Sequence, residues 1–151
     1  MDDEYYMNLA IKEAKKAAAI DEVPVGAVIV DANKQVIGHG YNCPISSNDP
    51  TSHAEINAIR MASRVLNNYR LIDTTLYVTM EPCIMCMGAI IHARINRVVF
   101  GAKDVKWGAA GSLYNMAEDM RLNHHPEIVS EICETKTKQL VKDFFMNKRS
   151  R

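Results

Sequence analysis

From Glu4 to Ile20 the apolar residues Tyr6, Leu9, Ala10, Ala14, Ala17 and Ala18 share one side at helical spacing, which predicts an amphipathic helix. The period then changes. Val25–Val30 is a β-branched apolar run, and Asp31-Ala32-Asn33-Lys34 supplies turn chemistry before Val36–Tyr41, so the two runs predict a hairpin. A loop rich in Pro, Ser, Asn and Asp from Cys43 to Ser52 leads into a helix predicted from His53 to Asn67. Leu76–Thr79 reads as a short strand. Pro82 opens a second helix through Ala93, because the missing N–H of proline has no intrahelical partner at a helix start. Val98–Phe100 predicts a strand ending at Gly101, residues 102–125 look irregular, Glu127–Ser130 a last short strand, and Glu131–Asn147 a last helix. Strands alternating with helices after an initial hairpin predict an α/β layered domain with a mixed sheet of roughly five strands.

The segment Ile84–Ile91 adds a constraint. Ile84, Met85, Met87, Ala89, Ile90 and Ile91 leave almost no polar face, and a helix apolar all round must be covered on all sides. In so small a domain the sheet covers one side. A second copy of the chain is the expected cover for the other, which predicts a homodimer; the alternative is a terminal helix of the same chain.

Composition narrows the class. The chain has 151 residues, 48% hydrophobic and 24% charged, which fits one soluble domain over residues 1–151 without repeats, low-complexity tracts or linkers. No apolar run approaches the ~20 residues of a membrane span. The acidic start Met-Asp-Asp-Glu lacks the basic and then apolar order of a signal peptide, so a cytoplasmic protein with no membrane partner is expected. Its four cysteines then stay reduced, and a Cys-x-x-Cys pair favours metal or redox chemistry over disulfides. The formal net charge is zero, yet it is unevenly spread: −5 over residues 1–59, +4 over 60–107, −4 over 108–135 and +5 over 136–151. The basic tail reads either as a solvated helix end or as a local phosphate-contacting patch, and charge alone does not choose between them.

The chemistry concentrates at His53, Glu55, Pro82, Cys83 and Cys86, an H-x-E…P-C-x-x-C arrangement. Cys83 and Cys86, three apart at a helix start, direct both sulfurs to one point near exposed N–H groups that favour thiolates. His53 begins the other helix, so a metal would sit where two helix N-termini converge. Three ligands of this softness suit tetrahedral zinc, and a fourth open position marks a catalytic rather than a structural ion. Zinc acidifies bound water, and the carboxylate of Glu55 beside it can take and return protons, the shuttle that deamination needs. Alone, Cys-x-x-Cys is as often structural or redox-active, and His-x-Glu is near chance. A structural Cys₃His zinc would need Cys43 or Cys133 as fourth ligand; both are otherwise read as small apolar side chains. The joint pattern is the known signature of zinc-dependent nucleobase deaminases, so that identification is a resemblance rather than a derivation.

The flanking sequence sharpens the resemblance. Asn48-Asp49-Pro50-Thr51-Ser52-His53-Ala54-Glu55-Ile56-Asn57-Ala58-Ile59-Arg60 is similar to tRNA adenosine deaminases and guanine deaminases alike. Glu81–Ile90, Arg97–Asp104, Gly108–Leu113 and Asn123–Ile128 then resemble the bacterial tRNA-specific adenosine deaminases, from the first helix to Phe144-Phe145. The resemblance implies a three-layer α/β/α cytidine-deaminase-like fold, a homodimer, and one zinc ion per subunit held by His53, Cys83 and Cys86. It implies Glu55 as the catalytic proton shuttle and a tRNA anticodon stem-loop as partner, with the wobble adenosine converted to inosine. For substrate binding it points to Val28 as a wall of the base pocket, Asn42 on the target base and the Ala54 N–H near the reacting oxygen. Asp104 and Lys106 fall in a loop touching flanking nucleotides, Asn123 in an Asn-His segment, and Phe144, Phe145 and Arg149 in the helix meeting the anticodon loop.

The residues agree where they bear on this. An anticodon loop presents splayed bases, and the aromatic Phe144 with nearby Lys148 and Arg149 is expected to supply stacking and phosphate contact. Consecutive Phe144 and Phe145 point apart on a helix, so at most one is expected in the core. Ser52 stands where alanine is common, a harmless change. Trp107 stands where a smaller residue is expected, either as a stacking platform or as a plug in the dimer. His39, His92, His124 and His125 are expected to be surface or structural. The alternatives are a guanine or cytosine deaminase acting on free bases, and a non-catalytic zinc-stabilised RNA-binding module.

Overall fold

A computed structural model describes residues 2–149. Helix α1 (Asp3–Ala19) starts at Asp2, whose carboxylate accepts the Tyr5 N–H at 2.9 Å, and it leads to the hairpin β1 (Gly26–Val30) and β2 (Val36–Tyr41). A short helix α2 (Pro44–Ser47) follows inside the segment expected to be loop; Pro44 at its first turn suits a helix start. Then come α3 (Ala54–Leu66), β3 (Thr75–Met80), α4 (Ile84–Ala93), β4 (Arg97–Ala102), β5 (Glu127–Val129) and α5 (Glu134–Arg149). Between β4 and β5 the only helical turn among the described residues is a 3₁₀ turn at Met116–Glu118, so the expectation of an irregular stretch holds.

The sheet is mixed, in the order β2-β1-β3-β4-β5. β1 is antiparallel to both β2 and β3, whereas β3, β4 and β5 run parallel. Successive side chains alternate between two layers. Ala27, Ile29, Leu76, Val78, Val98 and Phe100 share a core with Ala54 and Ala58 of α3 and Met87 and Ile90 of α4. Val28, Val30, Tyr77 and Val99 face the opposite way, against Tyr6, Met7, Ala10 and Ile11 of α1, with Leu140 of α5 beside them. The expected three layers and roughly five strands are therefore present.

Most predicted boundaries shift by a residue or two. That of α4 is among them: the helix starts at Ile84 with Cys83 as its N-cap rather than at Pro82. Two of the shifts have a packing or backbone cause. β4 does not stop at Phe100 but runs through Gly101 to Ala102; a Cβ at Gly101 would lie 2.5 Å from Thr137 Oγ1, so the glycine lets α5 approach. The last helix begins at Glu134 rather than Glu131, because Glu131 and Cys133 take left-handed backbone (φ 66° and 57°) and turn the chain first.

The topology gathers one end of the molecule. Because β1 is antiparallel to β3, the entry to β1 and the exit of β2 lie beside the carboxyl ends of β3 and β4. The N-termini of α3 and α4 open at that same end.

Candidate active site

The two helices that open here begin on residues that do not cap them. His53 and Cys83 occupy the N-cap positions of α3 and α4 with extended backbone, and neither side chain makes a capping hydrogen bond. A Ser, Thr, Asn or Asp at such a position stabilises a helix by about 1 kcal/mol, so both helices forgo a cap and turn these side chains toward each other. His53 Nδ1 lies 3.6 Å from Cys83 Sγ and 3.5 Å from Cys86 Sγ, and the three ligand atoms fall within 4.8 Å of one another. Cys86 is the third residue of α4 after its N-cap, and Glu55 the second of α3, so both sit at the positive ends of helices.

The electrostatics show a cluster short of positive charge. The Cys83 thiol is pulled down to about 4, chiefly because Cys86 donates to it, with His53 assisting. Cys86 is pushed up for the same reason, as it keeps the shared proton beside the Cys83 charge, and burial adds to this. His53 is raised by its hydrogen bond to Cys83. Glu55, only 4% exposed, is pushed up to about 7, first by burial and then by the neighbouring Cys83 charge. Two sulfurs and an imidazole thus compete for protons around one point. A dication that displaces those protons satisfies all three donors at once, and the His-Cys-Cys set fits zinc. Among the described residues no fourth side chain of ligating type joins the group.

Cys43 and Cys133 lie elsewhere. Cys43 is not a plain apolar filler: its Sγ shares a 3.2 Å hydrogen bond with Ser52 Oγ, and Asn57 Nδ2 donates to Ser52 Oγ and to the Tyr41 carbonyl. This polar knot ties the loop between Asn42 and His53 to α3. Ser52, the departure read as harmless, is a working part of it. Cys133 packs at the margin of the α1 layer on the other side of the sheet.

The cluster opens into a pocket of about 520 Å³ lined by His53, Glu55 and Cys83 together with Val23, Val25, Asn42, Pro50, Met80, Glu81, Ile84, Met85, Asp104 and Trp107. Asn42 stands on the wall, its Nδ2 donating to the Val23 carbonyl at 3.2 Å. Ala54 is fully buried as the first residue of α3, where its N–H has no partner within the helix. Asp104 and the exposed Trp107 stand on the rim, the Asp104 carboxylate accepting the N–H groups of Lys106 and Trp107. Lys106 is exposed just outside the lining.

Other expected positions fall outside the pocket. Val28 does not wall it: one residue out of phase, Val28 faces α1, and Val25, which shares the phase of Ala27 and Ile29, lines the site instead. Asn123 is exposed near the amino end of β4, where His124 Nε2 lies 2.6 Å from the Ile95 carbonyl, so within this chain it stands at the far end of the sheet from the site. Phe144, expected to stack on a base, is instead buried, and its neighbour Phe145 is 44% exposed, since consecutive residues of a helix point apart. Lys148 stacks over Phe144 and reaches Asp21 at 3.4 Å, which brings the end of α5, with exposed Arg149, beside the segment that carries Val23. Sequence reasoning missed Val23, Val25, Met80 and Glu81. Strand phase sets Val25 and Val28 on opposite faces without saying which face meets the site, and nothing local marked Glu81.

Comparison with known proteins bears on this geometry. A family model described as the cytidine and deoxycytidylate deaminase zinc-binding region matches residues 1–102. The tRNA-specific adenosine deaminase of Haemophilus influenzae is 48% identical over 147 residues, covering 97% of this chain and 85% of that one. A solved structure concerned with A-to-I editing by tRNA deaminases at the wobble position superposes with a TM-score of 0.87 at 42% identity, covering 90% of this chain and 98% of the other. A guanine deaminase from Bacillus subtilis is also 42% identical, with a TM-score of 0.64 and coverage of 68% of this chain and 66% of that one.

Proposed function

The chain belongs to the tRNA-specific adenosine deaminases of the cytidine and deoxycytidylate deaminase family, and from that premise we propose that it hydrolyses the wobble adenosine of a tRNA anticodon loop to inosine. The observation that carries the reading is the buried Glu55 beside His53, Cys83 and Cys86 at the wall of an open pocket. One zinc ion held by those three ligands would supply an acidified water and a Lewis acid at neutral pH.

The chain's own residues do the rest. Hydrolysis joins a water oxygen to C6 of the purine, breaks the bond from C6 to the exocyclic nitrogen and releases ammonia, so protons must move from the water to ring N1 and to the leaving amine. Glu55 suits every transfer: its carboxyl group is buried at the pocket wall beside the three ligands, where it can take a proton and return it. Asn42 offers an amide to the base edge, and the Ala54 N–H is a free donor at the start of α3 for the oxygen that forms. A pocket open to solvent accepts a base already splayed from a loop, which spares the cost of extracting it from a duplex. Asp104, Lys106, Phe145 and Arg149 then face the rest of the loop, the last two from the end of α5. The assay is a synthetic anticodon stem-loop carrying adenosine at the wobble position. Zinc-loaded protein is expected to convert it to inosine and to leave free guanine, cytosine and adenosine unchanged. Turnover of free guanine with an intact stem-loop adenosine would instead assign the guanine deaminase reading.

The same reading includes a homodimer acting in the cytoplasm as one catalytic domain per chain. α4 buries Met87 and Ile90 in the core it shares with the sheet, while Ile84 remains 53% exposed and a Cβ at Gly88 would meet nothing within 4 Å. No helix among the described residues is long and apolar enough to cross a membrane. Sedimentation equilibrium is expected to give twice the 16.9 kDa chain mass, and Gly88→Arg to give the monomer.

A further inference from the structure

Glu81 has no part in the chemistry above, yet it is among the most heavily bonded side chains of the molecule. It follows β3 directly, is 4% exposed and lines the pocket. Its Oε1 accepts the Asp104 N–H at 3.1 Å and the Ser112 hydroxyl, and its Oε2 accepts the N–H groups of Ala110 and Ser112, each at 3.0 Å. All four donors belong to one segment, residues 104–112. That segment has no regular structure, pairing only through isolated bridges such as Cys83 with Gly108. The local sequence is shaped around the carboxylate: a Cβ at Gly108 would lie 2.4 Å from its carboxyl carbon, so only glycine lets the backbone pass. At the rim end of the segment, Asp104 in turn holds the N–H groups of Lys106 and Trp107.

We propose that Glu81 is a positioning residue for RNA selection: by anchoring residues 104–112 from beneath, it fixes Asp104 and the indole of Trp107 at the pocket rim, where Trp107 stacks on a nucleobase flanking the one deaminated. The inference rests on the tRNA reading of this site. A loop without a ladder of its own would otherwise sample many conformations, and each binding event would bear the cost of ordering it. Trp107 is 68% exposed, an unusual setting for a large apolar ring, and stacking on a base is the use that fits its place beside the pocket.

The chain has one tryptophan, so its fluorescence reports on this rim alone. In the full-length zinc enzyme, Glu81→Ala is expected to raise KM for the stem-loop about tenfold while kcat stays within about twofold and zinc content is unchanged. Without RNA, the fluorescence anisotropy of Trp107 is expected to fall. Glu81→Gln fills the same space but turns an amide N–H₂ toward two of the donors, so it is expected to behave like Glu81→Ala; wild-type behaviour of Glu81→Gln would show mere packing and overturn the proposal. Should Glu81→Ala not fold, Ser112→Ala removes a single donor and is expected to raise KM about threefold with the same drop in anisotropy. An unchanged KM and anisotropy in Ser112→Ala and Glu81→Gln, or a fall in kcat at constant KM, overturns the proposal. Wild-type enzyme inactive on the stem-loop would sink the tRNA reading itself, whereas the RNA-free anisotropy still tests the anchoring.

Discussion

Glu55→Gln is expected to lower kcat on the anticodon stem-loop by about three to four orders of magnitude while zinc content stays at the wild-type level. The argument is geometric first. Glu55 is the second residue of α3, buried at 4% exposure, and it lines the pocket beside Cys83 and Cys86 without belonging to the ligand cluster. Glutamine keeps the volume and a polar head but cannot exchange a proton near neutrality, so binding survives and every proton transfer loses its carrier. Single-turnover kinetics alongside elemental analysis separates the two effects, and a variant that kept its rate would remove Glu55 from the chemistry.

The same substitution has an opposite effect on folding, with a sign that follows from burial. Glu55 titrates ordinarily near 4.5 and in the folded chain at about 7. The folded state therefore holds its proton more tightly than the unfolded chain. The stability this contributes is complete below about pH 4.5 and is lost as pH rises through about 7, where an ionised carboxylate sits buried at a cost of up to about 3 kcal/mol. Glutamine does not titrate. Zinc-free Glu55→Gln is thus expected to resist urea better than zinc-free wild type at pH 8, with the difference closing by about pH 5. An inactive variant that is more stable than its parent is the signature of a carboxylate kept for chemistry against the preference of the fold.

Much of this architecture is readable from hydrophobic phase. The strands of β1 and β3 announce themselves by β-branched runs, and the placement of α3 and α4 follows from the residues at their starts. What the chain pattern does not carry is a relation between distant segments. Gly101 reads as a strand terminator, whereas it is a gap left for Thr137 of α5. Val28 and Val25 are equally apolar, and only the register of β1 against β3 decides that Val25 faces the site. Glu131 and Cys133 give no sign of left-handed backbone, so the start of α5 is displaced by three residues.

The metal ligands were legible because they must be close in the chain or at the head of a helix, and spacing shows both. Glu81 was not, because its meaning lies in four donors more than twenty residues away. The place of Asn123 was not legible for the converse reason. Its segment is recognisable, but β5 pairs with β4 at Arg97, which leaves Asn123 at the far end of the sheet.

Cys86→Ala is expected to cost zinc affinity by more than about 100-fold, the loss that removal of a mere outer-shell partner can reach, and to leave no measurable deaminase activity. Cys86 is fully buried, and its sulfur and that of Cys83 share their proton in the metal-free cluster. With one sulfur gone, His53 and Cys83 remain as two ligands on two helix ends, too few to hold tetrahedral zinc against solvent. Because zinc binds the folded chain, its loss is also a loss of stability: at a free zinc concentration about 1,000 times the dissociation constant, the wild type gains about 4 kcal/mol that the variant does not. Zinc titration followed by thermal unfolding is therefore expected to raise Tm for wild type and leave Cys86→Ala unmoved. Cys43→Ala and Cys133→Ala serve as internal controls. Neither sulfur joins the cluster, so both variants are expected to keep wild-type zinc content and the zinc-dependent rise in Tm. Zinc loss from either would mean a fourth protein ligand and a closed, structural site, and the case for an open catalytic position would fall with it.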